Sequence, residues 1–339
     1  MTTNSYQYEQ SLLQATTPLL RYQPGMDTMQ WKETTKAKLN ELMGMDVFRP
    51  CPLNMTIEWE KDHEDFHEIR FTFQTEKGYV VPCHMLIPNA LPKNATETPT
   101  PVICLQGHST GMHISLGRAI YDCDPEDLKG DRDFAIRAVK EGFVPIVMEQ
   151  RYMGECGGDE VGPSCLSPRC ESLVSLLLGR CAIGERVWDI SRLIDLLEEN
   201  FSDKLNLEKL ICMGNSGGGT ATFYASCVEE RIKTAIVSCA FCTYKDSIAA
   251  MPHCACNYIP KSALYFDMGD LAGLMAPRNL LIVAGKDDPI FPLHGVKESY
   301  ELAKTFFTAA GCEDRLQFVI GDGDHRFYAD QAWEAYRRF

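Results

Sequence analysis

The sequence predicts an α/β fold, a mostly parallel β-sheet covered on both faces by helices. Three observations carry this reading. Short, wholly apolar runs such as Val102-Ile103-Cys104-Leu105 and Leu280-Leu281-Ile282-Val283-Ala284 recur from Pro101 onward, as strands buried on both faces do. Stretches with helical periodicity separate them, and that alternation builds parallel sheets. The 339 residues are 45% hydrophobic and 24% charged, enough for one substantial core, so one elaborated domain is the default.

Residues 1–60 read as an N-terminal helical extension, with Trp31, Ala37, Leu39 and Leu42 as apolar positions among charged ones. Residues 61–339 read as the main domain. Ile69 to Phe73 alternates apolar and polar residues, and Tyr79 to Ile87 follows across Glu76-Lys77-Gly78, so two strands and a turn are expected. Further strands are expected at 102–105, 144–148, 210–213, 234–238, 280–284 and 316–320. Helices are expected over Asp131 to Glu141, Gly184 to Glu199, Gly217 to Val228 and Gly295 to Ala309. Residues 154–180, with Gly-Gly, prolines and cysteines, read as an inserted loop or lid, and 241–277 as a second insertion.

The net charge of −14 excludes a phosphate backbone or an anionic membrane surface as the expected partner, since both attract Lys and Arg clusters. The start, MTTNSYQYEQSLLQ, lacks a basic region followed by an apolar stretch, and no run approaches the ~20 apolar residues of a membrane span. The expectation is a soluble, cytoplasmic protein, with oligomerisation left open. Fifteen cysteines in a chain able to build its own core read as reduced thiols rather than a disulfide framework. Cys104, Cys212 and Cys239 sit within apolar runs as small buried hydrophobes.

Chemistry concentrates at three strand ends. Gly214-Asn215-Ser216-Gly217-Gly218 follows an apolar strand and opens a helix, the context in which a serine on a tight strand-to-helix turn acts as nucleophile. A serine in a flexible glycine-rich loop is the bland alternative. A serine nucleophile needs a histidine to take its proton and a carboxylate to stabilise the imidazolium. His325 lies just beyond the last strand, in Gly321-Asp322-Gly323-Asp324-His325, and Asp288 lies beyond strand 280–284, with Asp287 as its rival. The order Ser216, Asp288, His325 is that of α/β-hydrolases. For the oxyanion, the Gly217 N–H and the His108 N–H of Gln106-Gly107-His108 are the expected donors.

With these residues assembled, the chain resembles the α/β-hydrolase superfamily, and within it the acetyl-xylan-esterase and dienelactone-hydrolase-like branch. The resemblance rests on Gly-Asn-Ser-Gly-Gly-Gly at 214–219, Trp188-Asp189, and His253-Cys254-Ala255-Cys256-Asn257-Tyr258. Ala276-Pro277-Arg278-Asn279-Leu280 and Gly323-Asp324-His325-Arg326-Phe327 complete it. It implies an eight-stranded sheet, a Ser216–His325–Asp288 triad, no cofactor, and ester hydrolysis through an acyl-enzyme. Two positions depart from it: Gln106 stands where relatives carry histidine, and Asp324 where glycine is frequent.

His253-Cys254-x-Cys256 lacks the paired cysteine spacing of structural zinc, so no metal is expected and the segment reads as packed, site-lining insertion. Arg151 and Tyr152, just past strand 144–148, are candidate substrate-binding residues; a structural ion pair of Arg151 with Glu149 or Glu155 is the alternative. The reading is a serine carboxylesterase for small acyl esters, acetyl above all, with a sugar on the alcohol side. A serine peptidase is the enzymatic alternative, and a catalytically silent binding protein of the same fold the non-enzymatic one.

Overall fold

The computed structural model describes residues 2–90, 98–157 and 169–339. Nine strands form one sheet: β1 (Thr56–Asp62), β2 (Phe66–Glu76), β3 (Tyr79–Pro88), β4 (Pro101–Leu105), β5 (Val144–Met148), β6 (Ile211–Asn215), β7 (Thr234–Ser238), β8 (Asn279–Gly285) and β9 (Leu316–Gly321). Their spatial order is β1-β2-β3-β5-β4-β6-β7-β8-β9. From β5 to β9 every pairing is parallel, while β1, β2 and β3 extend the sheet antiparallel at one edge.

Eight of these strands fall on the expected segments; β1 is additional and begins inside the stretch read as helical, 1–60. Every residue of β1 is exposed and it pairs only with β2, so no buried face imposes an apolar pattern on its sequence. The expected helices are present as Phe134–Lys140, Ala182–Phe201, Gly217–Val228 and Leu293–Ala309, and a further one, Ala329–Tyr336, closes the chain. The segment 154–180, expected as an inserted loop or lid, lies partly outside the described residues. No helix among the described residues is long and apolar enough to cross a membrane, and they form no disulfide.

Side chains of the central strands alternate between two cores, as a period of two requires. Along β4, Ile103 and Leu105 join the larger core, and Val102 and Cys104 the smaller. Helices Ala182–Phe201, Gly217–Val228 and Leu293–Ala309 cover the first face; Phe134–Lys140 and Ala329–Tyr336 cover the second. Arg278 ties the sheet to the helix Gly217–Val228, donating to the carbonyls of Ser226, Glu229 and Ile232 at 2.7–3.0 Å.

The lead-in packs on the first face through the helix Thr28–Met43. Asp27 caps it by accepting from the Met29 and Gln30 amides, and Gly44, in the left-handed region, ends it. Its buried residues are Trp31, Thr35, Leu39 and Met43, a strict four-residue spacing. Ala37, expected on that face, is exposed, and Leu42 is half-buried. Trp31 packs edge-on to Tyr22 and tilted against Phe306, with ring centroids 5.5 and 5.0 Å away, and its Nε1 donates to Leu20 O at 2.8 Å.

At the end of β5 the chain buries Glu149, whose carboxylate accepts from the amides of Met112 at 3.0 Å and of Gln150 and Glu155 at 3.3 Å. Burial outweighs these contacts and pushes its pKa up to about 7. The folded chain therefore holds this proton more tightly than the unfolded chain. The associated stability is full below about 4.5 and lost as pH rises through about 7.

Two outcomes follow from this packing. Trp31→Ala removes a buried ring and frees the Leu20 carbonyl, so urea unfolding is expected to show a loss of about 3–5 kcal/mol. An unchanged midpoint would detach the lead-in from the cooperative core. Glu149→Gln mimics the protonated carboxyl, and is expected to flatten the decline in stability between about pH 5 and about pH 8 by up to about 3 kcal/mol. A decline as steep as the parent's would place that titration elsewhere.

Candidate active site

Ser216 sits where β6 hands over to the helix Gly217–Val228, at φ 55° and ψ −123°, a strained conformation for a residue with a Cβ. The turn is possible because the residues two before and two after Ser216 carry no side chain. A Cβ on Gly214 would lie 2.5 Å from the Gly218 carbonyl carbon, and one on Gly218 would overlap the Leu105 and Gln106 carbonyls. The Ser216 amide donates to Ser238 O at 2.9 Å, anchoring the turn to β7. Ser216 is thus held on a rigid corner rather than in a flexible loop.

His325 and Asp288 arrive on neighbouring strand ends. Gly285 of β8 is in register with Gly321 of β9. The loops beyond remain joined: Lys286 N donates to Gly321 O at 2.9 Å, and Asp287 N to Gly323 O at 2.8 Å. His325 Nδ1 lies 2.7 Å from Asp288 Oδ2. Asp288 Oδ1 accepts from the Ile290 and Phe291 amides at 2.8 and 3.1 Å. Burial alone raises the Asp288 carboxyl, but His325 and these two amides outweigh it and hold its pKa below the ordinary aspartate value. Asp287, the rival carboxylate, is exposed. Of the two neighbours it is therefore Asp288 that meets the histidine. Phe291 stacks behind the His325 ring, with centroids 6.0 Å apart.

The loop after β4 runs against the elbow. A Cβ on Gly107 would lie 3.0 Å from Ser216 Cβ, so this backbone passes in contact with the serine. Gln106 fixes its course: its Nε2 donates to Ser115 Oγ and Arg132 O, both at 3.1 Å, and its Oε1 accepts from the Gly107 amide at 3.1 Å. With the Gly107 N–H so occupied, His108 offers the next amide of the loop. Gly217 opens its helix, so its N–H has no intrahelical acceptor. The His108 ring lies over Gly217, whose added Cβ would come 2.7 Å from His108 Cε1, and its Nε2 is 3.1 Å from Cys256 Sγ.

Ser216 and His325 line one cleft of about 340 Å³, together with His108, Asp127, Arg132, Met251, Pro252, His253, Cys254 and Ile290. Four of these come from 251–254, so the segment read as an insertion supplies a wall. His253 belongs to the segment expected to line the site, with no individual role expected for it. Burial and the nearby His108 and His325 push its pKa down to about 4, which keeps its imidazole neutral. Its Nδ1 lies 3.2 Å from Asn257 Nδ2, and its buried Nε2 has no hydrogen-bond partner. Only its place in the HCxC segment could have signalled it.

Two expectations are corrected. Arg151 is buried away from the cleft and pairs with Asp189 at 2.7 Å and Glu76 at 2.7 Å, with Glu185 at 3.7 Å. Its guanidinium also covers the Tyr79 ring at 4.3 Å. Its partners are not Glu149 or Glu155, because Glu155 is taken by Arg70 and Glu149 by backbone amides. Tyr152 turns its hydroxyl to Glu185. Both therefore brace the wall behind the site rather than line the cleft. Trp188, beside Asp189, likewise serves structure, its Nε1 donating to Thr75 O at 2.9 Å.

No family model matches the chain. Over 236 residues it is 22% identical to "Putative hydrolase YtaP" of Bacillus subtilis, covering 68% of this chain and 74% of that protein. A solved structure described as a putative acetyl xylan esterase from Bacteroides fragilis superposes with TM-score 0.78 at 16% identity, covering 95% of this chain and 83% of the other. A glucuronoyl esterase from Solibacter usitatus gives TM-score 0.68 at 17% identity, covering 96% of both chains. At such identities the likeness is one of architecture, and it extends over nearly the whole chain. With its mostly parallel sheet, its helices on both faces and a serine elbow after β6, the chain has the α/β-hydrolase fold.

Proposed function

We propose that the protein is a serine carboxylesterase that hydrolyses small acyl esters, acetyl esters of sugars above all, through an acyl-Ser216 intermediate. One observation carries the reading: the strained elbow of Ser216 and the hydrogen-bonded His325–Asp288 pair open on the same cleft. Residues 61–339 form the catalytic unit in this reading, and residues 1–60 brace it. Esterases recur among the proteins of similar architecture, including a methylesterase, which supports the reaction class by analogy.

His325 Nδ1–H donates to Asp288, which leaves Nε2 as the base. Ser216 Oγ gives its proton to Nε2 and attacks the ester carbonyl. The resulting oxyanion takes hydrogen bonds from the Gly217 and His108 amides, a kind of contact worth about 3 kcal/mol per donor. The imidazolium then protonates the leaving alcohol, and a water activated by the same nitrogen releases the acid from Ser216. A cleft of about 340 Å³ suits an acetyl group with one sugar ring better than a polypeptide. Asp127 and Arg132, paired at its rim, supply the polar contacts a sugar needs. No step calls for a cofactor.

A fluorophosphonate probe is expected to label Ser216, and Ser216→Ala to lower p-nitrophenyl acetate turnover on the order of 10³-fold or more. Labelling absent together with unchanged turnover in Ser216→Ala would remove Ser216 as the nucleophile, and no labelling and no turnover in the parent would leave a silent binding protein; peptide anilides cleaved far faster than acetyl esters would make it a peptidase. Asp288→Asn is expected to cut kcat by about 10⁴, and the exposed neighbour's Asp287→Asn to leave it near the parent value. Reversal of that pair would reassign the acid.

A further inference from the structure

Cys254 and Cys256 flank the cleft, and the fold brings them a third soft donor from 148 positions away in the chain. His108 Nε2 lies 3.1 Å from Cys256 Sγ, and Cys254 Sγ lies 3.0 Å from the same sulfur. All three atoms fall within 4.8 Å of one another. The geometry points to a binding site for one thiophilic divalent cation of the zinc class, held by His108 Nε2, Cys254 Sγ and Cys256 Sγ.

The donor chemistry selects the ion. Two sulfurs and an imidazole nitrogen suit zinc and its softer relatives, whereas magnesium and calcium require oxygen ligands. Tetrahedral bonds of about 2.3 Å to sulfur and about 2.0 Å to nitrogen set donors roughly 3.5–3.8 Å apart. The two contacts of Cys256, at 3.1 and 3.0 Å, reach that spacing by opening less than about 1 Å, and the third pair lies within 4.8 Å. His108 and Cys254 line the cleft, while Cys256 is wholly buried. The ion therefore enters from the cleft and leaves its fourth position facing it. Loading turns two thiols into thiolates and releases their two protons to solvent, so the ion's two charges balance the sulfurs.

Spacing alone argued against a metal, because Cys254-x-Cys256 has no second cysteine pair. The missing ligand comes from the loop after β4, the same loop that passes Ser216. An ion on His108 Nε2 fixes the ring that lies over Gly217 and fills part of the cleft, so it obstructs ester hydrolysis. This consequence, unlike the site itself, rests on the esterase reading.

Cadmium titrated into the full-length chain under a phosphine reductant reads the site through the sulfur-to-cadmium charge-transfer band. The band is expected to saturate at about one equivalent per chain. Cys254→Ser and His108→Asn are each expected to weaken binding roughly tenfold or more, and Cys254→Ser/Cys256→Ser to abolish it; Cys51→Ser serves as the remote-thiol control. No band in the parent, or parent-like binding in Cys254→Ser and His108→Asn, overturns the proposal, whether or not the buried Cys256 tolerates substitution. In a second arm, zinc is expected to slow p-nitrophenyl acetate hydrolysis by the parent and a chelator to restore it. A parent that binds cadmium yet never hydrolyses the ester contradicts the esterase reading and leaves the metal site standing.

Discussion

Between β6 and the helix Gly217–Val228 the backbone turns within a single strained residue, and the turn closes only because Gly214 and Gly218 let β4, β6 and the helix approach without side chains. Conformations of that kind cost about 1–3 kcal/mol and persist only where the surroundings over-determine them. Here the parallel pairing of β6 with β4 and β7, the Ser216 amide on Ser238, and the Arg278 clamp on the helix's last carbonyls all act together. The backbone of Ser216 is thereby fixed at the cleft before any ligand arrives. The same close approach brings the loop 106–108 against Ser216, so the candidate oxyanion donors depend on the same glycines.

The proposed base, His325, and its carboxylate partner, Asp288, are delivered as one unit. Gly285 and Gly321 end their strands in register, and two further backbone hydrogen bonds keep the loops joined past the sheet. The 2.7 Å contact between His325 and Asp288 is therefore a continuation of β8–β9 pairing. Behind the opposite wall, Arg151 gathers Asp189, Glu185 and Glu76. Burying these charges is tolerable because each finds a partner, and removing one would leave the others uncompensated. That network fixes the segment from which Met153 reaches toward Gly217.

What the sequence made legible follows from what each feature does physically. Strands buried on both faces must be continuously apolar, so β4 to β8 could be read directly, and the half-buried edge strand β9 was legible from Leu316, Phe318, Val319 and Ile320; β1, exposed throughout, carries no such constraint. The elbow was legible because its glycines, its strand and its helix are consecutive. Asp288 and Asp287 could not be separated by position, since the choice depends on which carboxylate the loop turns inward to the Ile290 and Phe291 amides. Arg151 was misplaced because a residue after a strand faces either the cleft or the wall, and its partner Asp189 lies 38 positions away. The contact of His108 with Cys256 was invisible for the same reason. Four-residue burial at Trp31, Thr35, Leu39 and Met43 includes a threonine, so an apolar stripe alone selected Ala37 and Leu42 instead.

In the proposed mechanism this elbow makes Ser216, among several nearby nucleophiles, the group that carries the acyl chain. Acid quenching during p-nitrophenyl acetate turnover, followed by peptide mapping, tests that assignment most directly. The predicted result is a single acetyl group on Ser216 that decays as turnover ends. An acetyl group on Cys254, Cys256 or His108, with Ser216 unmodified, would contradict it.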